Sequence, residues 1–147
     1  MPQQDEIHYL AVADVLALHN FLTERTGWAS APCNEALLEG AVWRSQHAAY
    51  YGGANLWEQA AILATGIVQA RAFVDGNKRT AFIACLSFLT RNGHPFPEVE
   101  ALRQALAERL VAIGAVDLSD AAGRTGELER LTAELAAWLR EQTRQTR

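Results

Sequence analysis

Residues 71–79 read RAFVDGNKR and are followed by a run that is apolar on nearly every side, AFIACLSFL from Ala81 to Leu89. These residue types at this spacing suit the binding of an anion, phosphate above all. A helix that starts at Asn77 places Lys78 and Arg79 in its first turn, where unpaired backbone amides already carry partial positive charge. Each cation is unfavourable there by about 0.3–1 kcal/mol unless something compensates. A bound anion would compensate for both, because the amides and the two side chains converge on it. Gly76 lets the backbone take a conformation closed to other residues and approach a ligand closely. Asp75 can cap the helix, and a carboxylate beside phosphates is also the usual anchor for Mg²⁺. Asn77 offers an amide to a phosphate oxygen or to the loop's own backbone, and Phe73, the one large apolar side chain of the loop, would fix it to the core. An Asp-Gly turn before a helix is common, and a Lys-Arg pair is often only a solvated face. The two cations on an otherwise apolar helix, with the Phe anchor ahead of them, favour the anion site over that simpler reading.

The elements that must hold this loop follow from apolar spacing, which is helical almost throughout and predicts an all-α bundle. A first helix is expected over residues 13–26, with Val12, Val15, Leu16, Leu18, His19 and Leu22 inward and Gly27 as its stop. Asn34 can cap a second helix that runs to about residue 46 and carries Leu37, Leu38, Ala41, Val42 and Trp43 to the core. Residues 47–56 change character. Tyr50, Tyr51, Gly52 and Gly53 combine aromatic β-formers with a Gly-Gly pair and predict a short hairpin or flap. A third helix over 57–70 is rich in small residues (Ala60, Ala61, Ala64, Gly66), so a neighbour can come close and a central place is expected. The fourth helix, 77–91, is the one that begins at the loop; Asn92-Gly93 and Pro95 end it. Two amphipathic helices follow over 98–113 and 126–143, joined by the polar stretch 117–124.

The 147 residues, half of them hydrophobic, suffice for one domain spanning 1–147. A net charge of −4 argues against a broad nucleic-acid or anionic-membrane footprint and for a protein or small-molecule partner. Cys33 and Cys85 read as reduced, packed thiols, which suits the cytoplasm. Residues 1–9 do not resemble a signal peptide, and no segment reaches the roughly 18–20 apolar residues that span a bilayer, so a soluble intracellular protein is expected. The histidines lack metal-ligand spacing. His19 reads as a core histidine, His47 as the base of the flap and His94 as a turn residue. Trp28, Trp43, Trp57 and Trp138 are too scattered for a base-stacking platform and read as core or groove residues.

RAFVDGNKRTAF resembles the signature loop of the Fic/Doc superfamily, whose pattern is H-x-F-x-[DE]-G-N-[GK]-R, and its Lys78 resembles the death-on-curing (Doc) toxin branch. Tyr9-Leu10, Val15-Leu16, His19, Leu37-Leu38-Glu39 and residues 89–93 (LTRNG) extend the likeness to most of 7–96. The resemblance implies a helical Fic fold with a β-hairpin flap over the active site. It also implies transfer of the γ-phosphate of ATP, with Mg²⁺, to a protein hydroxyl, a threonine of elongation factor Tu, and neutralisation by a cognate antitoxin. Carried over, Phe73 anchors the loop, Asp75 holds the metal, Gly76 and Asn77 shape the anion hole, and Lys78 and Arg79 hold the phosphates. Tyr50, Tyr51, Gly52 and Gly53 would form the flap that aligns the target, and Glu39 could orient Arg79 or serve only as an exposed helix carboxylate. The second Arg of the AMP-transferring branch is replaced by Phe82. The family's general-base His corresponds to Arg71, whose guanidinium stays protonated and cannot accept a proton. A positioned base is typically worth about 10²–10⁴-fold in rate, so the expectation is a site that binds nucleotide and transfers poorly. The alternatives are an AMP-transferring enzyme and a non-catalytic module that binds nucleotide or antitoxin.

Overall fold

Helical periodicity produces helices at nearly every predicted place. The computed structural model describes residues 6–26, 33–119 and 121–144, without the side chains of residues 26 and 121–125. In chain order these are α1 (Val12–Thr26), α2 (Glu35–Gly52), α3 (Leu56–Ala70), α4 (Asn77–Arg91), α5 (Glu100–Gly114) and α6 (Ala121–Arg144). No strand occurs among the described residues, and no helix there is long and apolar enough to cross a membrane.

The hairpin expected over 47–56 is absent, and this is the main correction to the sequence reading. Helix α2 continues through Tyr50 and Tyr51 to Gly52. Gly53 then takes the left-handed conformation (φ 66°), and the Ala54 amide reaches back to the Ala48 carbonyl at 3.1 Å, closing the helix end. Only two residues later α3 is capped: the Asn55 side chain accepts from the Glu58 amide, and the Glu58 carboxylate accepts from the Asn55 amide, both at 2.8 Å. A Gly-Gly pair serves a hairpin turn or a helix stop equally well; the Asn55-x-x-Glu58 capping box decides for the latter. The last helix also starts earlier than expected, at Ala121, and takes in part of the polar stretch.

Helix α3 is the central element, as its small residues predict. It packs against α2, α4, α5 and α6, and nine of its fifteen residues are buried. A Cβ on Gly66 would lie 3.0 Å from Ala41 Cβ and 3.1 Å from Ala41 Cα, so the α2 backbone rests directly on α3. Val15, Leu38, Ile67, Phe88, Leu106 and Leu139 join the helices in one core. Leu37 and Trp43, expected inside, are 45% and 58% exposed; the buried stripe of α2 is limited to Leu38, Ala41, Val42 and Ser45 because α3 covers one narrow side. Trp57 and Trp138 are partly buried against the core, whereas Trp28 lies outside the described residues. Cys85 is fully buried, and burial pushes its thiol up to about 12; Cys33 is partly buried, and both are free thiols.

The close contact at Gly66 is testable. Overpacking costs about 1–3 kcal/mol, more than the roughly 1 kcal/mol that alanine gains over glycine inside a helix. Gly66→Ala should therefore lower the unfolding free energy in a urea titration, and a rise would show that α2 moves away without cost.

Candidate functional site

The loop between α3 and α4 is held from beneath by its own apolar and amide side chains. Ala72 and Phe73 are buried, whereas Val74 and Asp75 are exposed. The Phe73 ring stacks on His19 of α1, with centroids 3.8 Å apart and planes 7° from parallel. His19 Nε2 also lies 3.1 Å from the Asp75 carbonyl, which fixes the proton on that nitrogen as the donor. His19 is thus the core histidine expected, and it has a second role that sequence reasoning missed: it carries both sides of the loop's turn.

Asn77 resolves between the two uses offered for it. Its Oδ1 accepts from the Phe73 amide at 3.1 Å and its Nδ2 donates to the Phe73 carbonyl at 2.8 Å, so the carboxamide closes the loop on itself. Gly76 is left-handed (φ 83°) and stands at the N-cap of α4. No side-chain cap forms on this helix among the described residues, and its first turn contains no acid. Asp75, expected as a possible cap, turns Oδ1 instead to the adjacent Gly76 amide at 2.8 Å. Lys78 and Arg79 are exposed in the first turn, as predicted.

Arg71 is the one non-glycine residue of positive φ (50°) among those described, and it terminates α3. Its Nη2 donates to the Gly114 carbonyl at the carboxyl end of α5, 3.0 Å away. Gln69 donates to the Ile113 and Val116 carbonyls at 2.7 and 3.3 Å. Lys78 lies against the same helix end, since a Cβ on Gly114 would stand 2.9 Å from Lys78 Cε. The sequence places Gln69 and Ile113, and likewise Arg71 and Gly114, forty-odd residues apart, and only the packing of α5 beside α3 shows that they meet.

The residues assigned to a flap are not brought to this site. Tyr50, Tyr51, Gly52 and Gly53 precede the first residue of α3, whereas the loop follows its last, and 15 residues at about 1.5 Å rise separate the two ends by roughly 22 Å. Tyr50 and Tyr51 are 83% and 78% exposed, and Trp43, His47 and Tyr51 form a ring stack along α2, with centroids 4.3 and 4.5 Å apart. The described backbone that does touch the loop from the α1–α2 connection is Asn34, whose amide donates to the Ala72 carbonyl at 2.8 Å. Glu39 is exposed and forms no ion pair among the described residues.

A cavity of about 710 Å³ lies between α2, α3 and α6, away from α4. Its wall is mostly apolar and its charges oppose one another, Arg44 against Glu58 and Glu129. It does not suit phosphate, and the electrostatics of the loop outweigh its size. Among the described residues, no cluster of three or more His, Cys, Asp or Glu could hold a metal by itself.

The helical architecture and the loop agree with what the comparisons find. Residues 9–89 match the Fic/DOC family, and the chain belongs to it. A relative named Toxin Doc, from Mycolicibacterium smegmatis, is 37% identical over 105 residues, which cover 69% of this chain and 73% of that protein.

The double contact of Asn77 predicts a measurable local effect. Asn77→Ala removes both hydrogen bonds to Phe73, and a hydrogen bond at a partly buried site is worth about 1 kcal/mol. Hydrogen exchange at the Phe73 amide should accelerate by about tenfold with the bundle otherwise unchanged, and unaltered exchange would mean that Phe73 and His19 hold the loop alone.

Proposed function

We propose that this chain is a Doc-like toxin whose loop at residues 71–79 binds ATP with Mg²⁺ and supports transfer of the γ-phosphate to a protein hydroxyl. The observation that carries this reading is the amino end of α4: no side-chain cap, no acid in its first turn, and two exposed cations in its place. Phosphate oxygens meet the amides, Lys78 and Arg79 there. The donor set also fits Mg²⁺, which is commonly held by one or two carboxylates together with phosphate oxygens. Asp75 supplies the carboxylate, exposed at the turn that leads into the helix. Bound in this way, the nucleotide supplies the phosphoryl group, and the metal offsets charge on its oxygens.

The remaining residues act as scaffold. Phe73 and Asn77 keep the loop's backbone fixed, and Gly76 takes the φ that opens the amide row. The resemblance to the Doc branch points to a threonine of elongation factor Tu as the target, to a block of translation in the cytoplasm, and to a cognate antitoxin as the partner. The relative named Toxin Doc supports the toxin reading. A half-buried Phe82 replaces the second Arg of the AMP-transferring branch, which favours phosphate over AMP transfer.

Arg71 limits the reaction. The guanidinium donates to the Gly114 carbonyl and cannot take a proton from a hydroxyl, so the chain binds nucleotide and transfers slowly. The same contact favours a second reading, a non-catalytic nucleotide- or antitoxin-binding module in which Arg71 serves only to hold α5.

Arg71→His separates the two. The toxin reading expects transfer from ATP labelled at the γ-position to elongation factor Tu to rise by about 10²–10⁴-fold, with expression arresting growth. Label arriving from the α-position would instead identify AMP transfer, and no transfer of either label would leave the binding module. Calorimetry provides the prior check, in which Lys78→Ala with Arg79→Ala should abolish uptake of ATP and Mg²⁺.

A further inference from the structure

The two helix ends beside the loop have opposite character. The amino end of α4 carries partial positive charge and the carboxyl end of α5 partial negative charge. Arg71 and Lys78 both touch one residue of α5, Gly114, the first through its carbonyl and the second across its Cα. Gln69 fixes that helix end from α3 through the Ile113 and Val116 carbonyls. A methyl group at position 114 would stand 2.9 Å from Lys78 Cε, 3.0 Å from Val68 Cγ1 and 3.7 Å from Lys78 Nζ. Val68 is buried on α3 and β-branched, so it has little room to yield. Lys78 is exposed and flexible, so it is the side chain that a methyl group would displace.

We infer that Gly114 is a positioning residue for the anion site: the bare Cα at the carboxyl end of α5 is the seat that holds the Lys78 side chain in place for a phosphate. The inference rests on the anion-binding reading of the loop and extends the site to a helix outside residues 9–89, the stretch that matches the family. A purely structural role for this glycine predicts something different. Gly114 does not have a positive φ and lies within α5 as its last residue. Alanine therefore suits the backbone and has the better helix propensity. Its methyl would also press on Val68 Cγ1 at 3.0 Å, so a modest cost to the fold is expected beside the loss at the site, and only the loss at the site should depend on Lys78.

The test is calorimetric titration of the full chain with ATP and Mg²⁺, paired with thermal unfolding, for the unaltered protein, Gly114→Ala, Lys78→Met and the double variant. Methionine keeps an unbranched stem and removes the charge. Loss of a hydrogen bond to a charged group weakens binding by about tenfold or more, so Lys78→Met should bind at least that much more weakly. Gly114→Ala should weaken binding by several fold, and the contact of its methyl with Val68 should lower the melting temperature only modestly. The double variant should bind no more weakly than Lys78→Met alone, because the glycine acts through the lysine. Unchanged affinity in Gly114→Ala beside a weakened Lys78→Met overturns the inference and leaves the anion site standing. Full additivity in the double variant also overturns it, because a loss of affinity through general loosening of the fold would not depend on the lysine. A parent protein that does not bind ATP with Mg²⁺ removes the anion reading itself.

Discussion

A helix start leaves backbone N–H groups without intrahelical acceptors, and most sequences meet them with a Ser, Thr, Asp or Asn cap. Helix α3 does so, through the reciprocal pair of Asn55 and Glu58. Helix α4 does not. The polar side chains that could have capped it are committed elsewhere, Asn77 to the Phe73 backbone and Asp75 to the Gly76 amide. The positive end of α4 is therefore presented outward with Lys78 and Arg79 beside it. That placement is costly for the isolated helix, and α5 offsets part of the cost. The carboxyl end of α5 takes a hydrogen bond from Arg71 and the stem of Lys78, the favourable arrangement for cations at a helix terminus. Lys78 is thereby partly satisfied by α5, and the uncapped amides make up a larger share of the positive charge that α4 offers a ligand.

These local contacts depend on α3. Its burial fixes where its last residue ends, and the loop begins there. Because α2 approaches to contact at Gly66, the start of α2 also reaches the loop, where the Asn34 amide binds the Ala72 carbonyl. From α1, His19 reaches the same loop by stacking and by a hydrogen bond. Four helices thus converge on nine residues, and the positive φ of Arg71 is held by neighbours on both sides rather than by its own preference.

The parts of this arrangement that were legible in the sequence are those encoded locally. The bounds of α4 and the loop ahead of it follow from the apolar run and from Gly76, and the Asn34 cap forms as read, with its side chain 3.3 Å from the Leu37 amide. The β-hairpin failed because Tyr-Tyr-Gly-Gly contains no information on whether a second strand exists; the decisive signal was the capping box that follows it. The exposure of Leu37 and Trp43 could not be read from α2, since the width of a helix's buried stripe is set by its neighbours. Gly114 and Gln69 were invisible for the same reason. Each is unremarkable in its own helix and gains its meaning only where two helix ends meet.

Arg71 concentrates the question of what the protein retains of its family's chemistry. Proton transfer requires a side chain with a lone pair near neutral pH, and guanidinium has none. A side chain that binds a helix's carboxyl end does so best as a persistent donor and cation, and guanidinium is well suited to that. One side chain at position 71 cannot meet both demands. The contact with Gly114 shows that this chain meets the second. A histidine here could serve as a base only by giving up the lasting positive charge that faces α5, so recovery of transfer would be accompanied by a weaker hold on the helix that also supports Lys78. If the loop works as proposed, proton transfer at position 71 and the placing of Lys78 are thereby coupled through a single helix end.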